Sequence, residues 1–380
     1  MSRHLDADAA RYPTPGGAGA ASPFAAALIL FRTVRRPRPR FAAWLALVLL
    51  PASPIRAAEP AFVALKMPGS QLIALSHDGL TAAGALIGSG SGGFRWSASK
   101  GLEALTGAIS VQGLSASGRY VAGSSLDADQ REVASYWNDE GRITRLGGLP
   151  GSAWQSGMLS IASGVSDEPR VVGSARDAAQ RTLAFEWSPA RGMQPLALPP
   201  LVNVARAAGI SDDGRRIFGW IEKGGARHGV IWNDGAPKVM GGELMGASRD
   251  LHVLLGLADA EGRMGMVYRW SDSVLGEPLS PPRGLRAPLW LYASSDDGSV
   301  FVGSAGTGAA RTAVIWTADT GLLPLGRLLS ERGIAVPPDW ALTAATAVSG
   351  DGLRIGGWGQ RGGYFDSFVV DVRRGGIETH

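Results

Sequence analysis

The stretch Ile210-Ser211-Asp212-Asp213-Gly214-Arg215-Arg216-Ile217-Phe218-Gly219 sets apolar residues on either side of an Asp-Gly pair. Such a pair between β-forming runs signals a two-residue hairpin, because glycine accepts the positive φ of the turn and aspartate tolerates it. Gly113-Leu114-Ser115-Ala116-Ser117-Gly118-Arg119-Tyr120-Val121-Ala122-Gly123-Ser124 and Ser294-Ser295-Asp296-Asp297-Gly298-Ser299-Val300-Phe301-Val302-Gly303-Ser304 repeat the pattern. A second hairpin follows the first, as in Leu183-Ala184-Phe185-Glu186-Trp187, a turn at Gly192, then Met193-Gln194-Pro195-Leu196.

From residue 70 onward this double hairpin recurs. Trp96, Trp137, Trp187, Trp232, Trp270 and Trp316 mark it at spacings of about 38 to 50 residues, the period of four-stranded propeller blades rather than helical pairs. A seventh unit closes with Phe368-Val369-Val370 and lacks the Trp. A four-stranded sheet of this size buries too little by itself and must pack on neighbours. The expected fold is therefore all-β: a seven-bladed β-propeller of four-stranded antiparallel blades, forming one domain over residues 59–380, with the recurring Trp as a core anchor between blades. The last unit stops after its third strand, at residues 368–372. The orphan Phe62-Val63-Ala64-Leu65-Lys66-Met67-Pro68-Gly69 resembles the fourth strand of the second unit, Ile143 to Gly151, and is expected to complete the last blade and remove its open edge. A helix is expected only near residues 325–332.

Composition narrows the function classes. The formal net charge is +4, but residues 1–58 hold eight arginines against two aspartates, leaving 29 basic and 31 acidic residues in the remainder. The basic balance belongs to the leader, so it is no argument for a nucleic-acid partner. Arg32, Arg35, Arg36, Arg38 and Arg40 precede the apolar run Phe41 to Leu50, which Pro51 and Pro54 end. That order is the order of a signal peptide, and the run is too short to span a bilayer as a helix. The chain is expected to be exported, to the periplasm, the cell surface or the medium, with no permanent membrane span after cleavage, and to be a monomer. The absence of cysteine removes disulfides and thiolate metal sites and suits an oxidising compartment.

The units ending Leu183-Ala184-Phe185-Glu186-Trp187 and opening Gly209-Ile210-Ser211-Asp212-Asp213-Gly214, with Pro338-Asp339-Trp340 through Val348-Ser349-Gly350-Asp351-Gly352, resemble the HAF-type extracellular repeat proteins of bacteria. The resemblance covers nearly all of residues 60–372. It implies a repeat fold and export; the family's activity is largely undefined, so it implies no reaction.

Candidate chemistry is sparse. The loop between the second and third strands is a usual place for function in propellers, and most units carry an arginine there: Arg131, Arg181, Arg227, Arg263, Arg311 and Arg361. Ringing a channel mouth, these guanidinium groups would pair with carboxylate or phosphate oxygens of an acidic polymer. A shared solvated loop residue is the plainer explanation. Trp154 and Trp290, with Trp340, stand in or near connections between units, where flat rings stack on sugars or fill the core. Trp220 and Trp358 follow the Gly of the second strand and read as core. Asp212-Asp213 and Asp296-Asp297 read as turns, because calcium loops need several spaced oxygens. His77, His228 and His252 lie in different units without metal-ligand spacing, and no cofactor is indicated. The reading that results is a non-catalytic binding or interaction module whose partner is an acidic polysaccharide or a cell-envelope protein. The alternatives are a lyase or hydrolase acting on polysaccharide, and a structural passenger region of an autotransporter-like protein.

Overall fold

The computed structural model describes residues 61–87, 92–152, 155–257, 265–269, 277–279, 284–285 and 288–375. The leader, Trp154, Arg263 and Trp270 lie outside the described residues.

A serine organises each first hairpin. The Ser76 hydroxyl donates to Asp78 Oδ1 at 2.6 Å and accepts from Thr81 N at 2.9 Å, while Gly79 takes φ +67°. Ser211 with Asp213, Ser295 with Asp297 and Ser349 with Asp351 repeat that frame. The turn is therefore longer than the two residues expected: the backbone closes from Ser76 N to Thr81 O, and the aspartate serves as a hydrogen-bond acceptor, not as a positive-φ residue. Two-residue turns occur instead at Gly224-Gly225, Asp234-Gly235 and Gly362-Gly363.

In chain order β1 (Phe62–Ala64) precedes the first unit, β2 (Ser70–Leu75), β3 (Thr81–Leu86), β4 (Gly92–Ser97) and β5 (Gly101–Leu105). The second unit is β6 (Ala108–Leu114), β7 (Val121–Leu126), β8 (Glu132–Trp137) and β9 (Ile143–Gly147). The third is β10 (Ser160–Val165), β11 (Val171–Arg176), β12 (Thr182–Ser188) and β13 (Gly192–Pro195). The fourth is β14 (Val204–Ile210), β15 (Arg216–Lys223), β16 (Ala226–Asn233) and β17 (Ala236–Val239). The fifth is β18 (Glu243–Ala247), β19 (Val253–Leu257), β20 (Gly265–Arg269) and β21 (Glu277–Leu279). The sixth is β22 (Leu289–Ser294), β23 (Val300–Ala305), β24 (Thr312–Thr317) and β25 (Gly321–Pro324), followed by α1 (Leu325–Glu331) where a helix was expected. The last holds β26 (Trp340–Val348), β27 (Arg354–Arg361) and β28 (Tyr364–Asp371).

Seven separate blades do not result. Among the described residues the strands form six sheets, five of four strands and one of eight. The fifth and sixth units share the eight-stranded sheet through a parallel pairing of β18 with β22 at Ala247 and Ala293. Gly246 makes this approach possible, since a Cβ there would collide with the Tyr292 carbonyl. The orphan β1 pairs antiparallel with β28, Phe62 opposite Val370 and Ala64 opposite Phe368, so the sheet of the last unit contains strands from both ends of the described chain.

The core lies between neighbouring units. Val172 and Ala184 of the third pack with Ile217, Ile221 and Trp232 of the fourth; Ala83 of the first packs with Val111, Val121 and Trp137 of the second. Trp137 and Trp232 are fully buried, and their indole N–H groups donate to the Thr106 and Ala197 carbonyls at 3.0 and 2.7 Å. Trp96, Trp187 and Trp316 are only half-buried, so the recurring Trp anchors the core at some units and caps it at others. On the hairpin side, arginines stitch one unit to the next: Arg95 donates to the Arg119 carbonyl, Arg170 to Gly214, Arg216 to Asp250 and Arg354 to Asp78.

Candidate functional site

Strand alternation would leave the innermost strands facing only their neighbours, but each carries a β-bulge. The extra residue is Ile73, Gln112, Ser163, Ala208, Met245, Tyr292 or Thr346, and all of them line one central cavity of about 550 Å³. A bulge re-aims one side chain without moving the strand, so seven otherwise unrelated residues come to face one axis. The volume falls in the range of small-molecule sites, roughly 300–1,000 Å³.

Tyr292 is the bulkiest of these and builds the polar end of the cavity. Its hydroxyl accepts from Arg311 Nη2 at 2.6 Å and lies 3.0 Å from Ser304 Oγ, to which Arg311 Nε also donates at 3.1 Å. The Arg311 guanidinium sits 5.3 Å from the Trp290 ring centroid and 5.2 Å from that of Trp358. Both rings hold the cation by its charge, yet no carboxylate among the described residues pairs with it. It is therefore a positive group, fixed in place, at the wall of a cavity.

Arg249 shapes the opposite end. It follows the turn serine of the fifth unit and donates across the channel to the Leu114 carbonyl at 2.6 Å, three units away. Burial lowers its pKa, while Asp212, Asp296 and Asp167, which follow the corresponding serines in their own units, pull it back up. Burial pushes Asp212 up to about 6 against the pull of Arg249, with Asp167 and Asp296 adding to the rise. His77 completes the ring through Nε2, 2.6 Å from Asp296 Oδ2. One member of each acidic pair thus makes the turn while the other faces this charge cluster.

The expected arginine ring is not uniform. Arg131 pairs with Asp127 and Asp129 at 2.7 and 2.8 Å, and Arg181 with Asp177 at 2.7 Å. Although burial acts the other way, hydrogen bonds from Arg131 and Arg181 hold Asp127 and Asp177 below the usual carboxylate range. Arg361 pairs with Asp339 at 2.9 Å and with the buried Asp366 at 3.3 Å, and lies 6.0 Å from the Trp340 ring. Arg227 pairs with Glu243 at 3.0 Å and lies 4.4 Å over Trp220. Arg131, Arg181 and Arg311 precede a third strand, whereas Arg227 lies inside β16 and Arg361 ends β27. Trp290 is the second residue of β22, next to the connection that precedes it. Tyr292, Trp358 and Arg249 join the cavity without having been singled out for it. Arg249 had a legible signal, a cation where other units place Asp, His, Ala or Gly after the turn serine. The bulges had none.

No protein-family model matches the chain, and no curated protein matches it. Among solved structures it is similar to TolB from Acinetobacter baumannii at 13% identity and a TM-score of 0.39, over 69% of this chain and 54% of that one. That score carries no argument. It is also similar to a chain from a study of two prolyl endopeptidases, at 11% identity and a TM-score of 0.52, over 82% of this chain and 49% of that one. The likeness concerns the fold. The chain is an all-β propeller of four-stranded antiparallel blade units, and it spans about half the length of both structures. No helix among the described residues is long and apolar enough to cross a membrane.

Proposed function

We propose that this chain is an exported, non-catalytic binding module of the HAF repeat type, and that it holds an anionic group of an acidic polysaccharide at the Arg311 end of its axial cavity. Residues 1–58 act as its export leader. The observation that carries the reading is the state of Arg311: oriented by Tyr292 and Ser304, flanked by Trp290 and Trp358, and without an acidic partner among the described residues. The hydroxyls and rings orient this guanidinium without neutralising it, and a carboxylate entering the cavity would make paired, charge-assisted hydrogen bonds with it. Of the two rings beside it, Trp358 also lines the cavity and gives a sugar an apolar wall.

The lining suits binding, since Gln71, Gln112, Ser163, Thr346, Tyr292 and the two arginines offer amide, hydroxyl and guanidinium groups to a glycan. The nearby Asp167, Asp212 and Asp296 are engaged around Arg249.

Calorimetric titration of the full chain with galacturonate tests the reading. Arg311→Gln, which keeps the size and hydrogen-bonding capacity but removes the charge, should weaken binding by about 10- to 100-fold, the scale of a lost charge-assisted hydrogen bond. Unchanged affinity would exclude this end of the cavity as the anion site.

A further inference from the structure

The repeat places one further residue in register with Arg311. In β24, Ala313 pairs with Ser304, and Arg311 stands two residues before Ala313. In β16, Gly229 pairs with Trp220, and Arg227 stands two residues before Gly229. Ser304 and Trp220 each follow the second-strand glycine of their units, so Arg227 is the counterpart of Arg311 two units away on the same rim. On the innermost strands, Trp290 pairs with Ser304 and Arg206 with Trp220. The fourth unit thus rebuilds the arginine–tryptophan arrangement of the sixth with the positions of the parts exchanged.

The result is a tryptophan between two cations. Arg227 lies 4.4 Å and Arg206 5.6 Å from the Trp220 ring centroid. Glu243 is paired with Arg227 at 3.0 Å, but no acid among the described residues pairs with Arg206, whose side chain is exposed. Partial desolvation, then the charges of Arg227 and Arg176, lower the Arg206 pKa. Arg176 is anchored by a hydrogen bond to the Gln180 carbonyl at 2.9 Å and stays close.

We propose that Arg206, Trp220 and Arg227 form a second subsite for a carboxylate-bearing sugar, on the rim that also carries Arg311. This rests on the reading of Arg311 as an anion site and extends it: a chain with repeated charges can occupy both subsites, whereas a single acidic sugar occupies one. The ligand class is then a linear polyanionic glycan of several residues, bound with an avidity that its monomer lacks.

The test compares galacturonate with hexagalacturonate by calorimetry on the full chain. The Arg206→Gln/Arg227→Gln double variant should lose about tenfold in hexamer affinity and keep the wild-type monomer affinity at Arg311. Glu243→Gln, which frees Arg227 from its ion pair, should tighten hexamer binding. That second variant guards against misfolding as the cause of a loss, because a gain cannot arise from a damaged fold. Equal hexamer affinity in wild type, double variant and Glu243→Gln would overturn the second subsite and leave the Arg311 reading intact. Loss of hexamer binding in the double variant, with monomer binding indifferent to Arg311→Gln, would uphold the subsite and sink the Arg311 reading. A wild-type protein that binds neither sugar overturns both.

Discussion

Asp213 accepts from Ser211 Oγ at 2.6 Å and from Arg215 N at 3.0 Å, and these donors hold its carboxyl below the usual carboxylate range. Its neighbour Asp212 has no such donors and is pushed up to about 6, chiefly by burial. The two therefore affect stability in opposite directions. Asp213 contributes stability that is present above its unfolded value, ~3.9, and is lost as pH falls through its folded value. For Asp212 the folded chain binds the proton more tightly than the unfolded chain, so its contribution is full below ~3.9 and is lost as pH rises through about 6. Asp212→Asn keeps the neutral form at every pH. Its melting temperature relative to wild type should rise between about pH 4 and pH 7, where wild-type Asp212 ionises at a cost. A difference independent of pH over that window would mean that Asp212 titrates normally.

Hairpins were the elements most legible in the amino-acid order, since Ser-x-Asp-Gly with flanking apolar residues announces both the turn and the strands it joins. The helix after β25 and the pairing of β1 with the last unit were legible for a similar local reason, a pattern that broke or lacked a partner. What could not be read depends on geometry between units. The parallel joining of β18 to β22 arises from one glycine meeting a carbonyl of the next unit, and the cavity lining arises from bulges that break the alternation on which strand reading relies. The recurring Trp illustrates the same limit: identical in the repeat, it is fully buried at Trp232 and half-buried at Trp187, where it tilts onto Tyr136 at 5.7 Å. Trp232→Ala should cost about 3–5 kcal/mol, adding an unpaired Ala197 carbonyl to the lost packing. Trp187→Ala should cost less than half as much. Denaturant titration of both variants would show equal losses if the repeat position alone set the energy.

The molecule as a whole is held by a contact that joins the two ends of the described chain. Phe62 stacks on Phe368 with centroids 5.5 Å apart and meets Trp340 edge-on at 5.4 Å, while Val63 and Leu65 pack toward Leu72 and Leu75 of the first unit. Beyond the strand, Met67 N donates to Asp366 Oδ1 at 3.0 Å, and the other oxygen of this buried carboxylate receives Arg361 Nη1 at 3.3 Å. Closure therefore links the first unit, the last unit and one rim arginine, and it explains why Arg361 is occupied and unavailable to a ligand. Phe62→Ala should lower unfolding free energy by roughly 1.5 kcal/mol, the low end for a large apolar side chain because Phe62 is only half-buried. Removing residues 59–66 should do more than weaken the fold. It would bare the edge of β28 along Phe368, Val369 and Val370, and an apolar strand edge recruits another chain. Light scattering and gel filtration of the truncated protein should reveal association that Phe62→Ala does not cause. A truncated chain that stays monomeric, with an unchanged denaturation midpoint, would show that β1 is ornamental and that the units close without it.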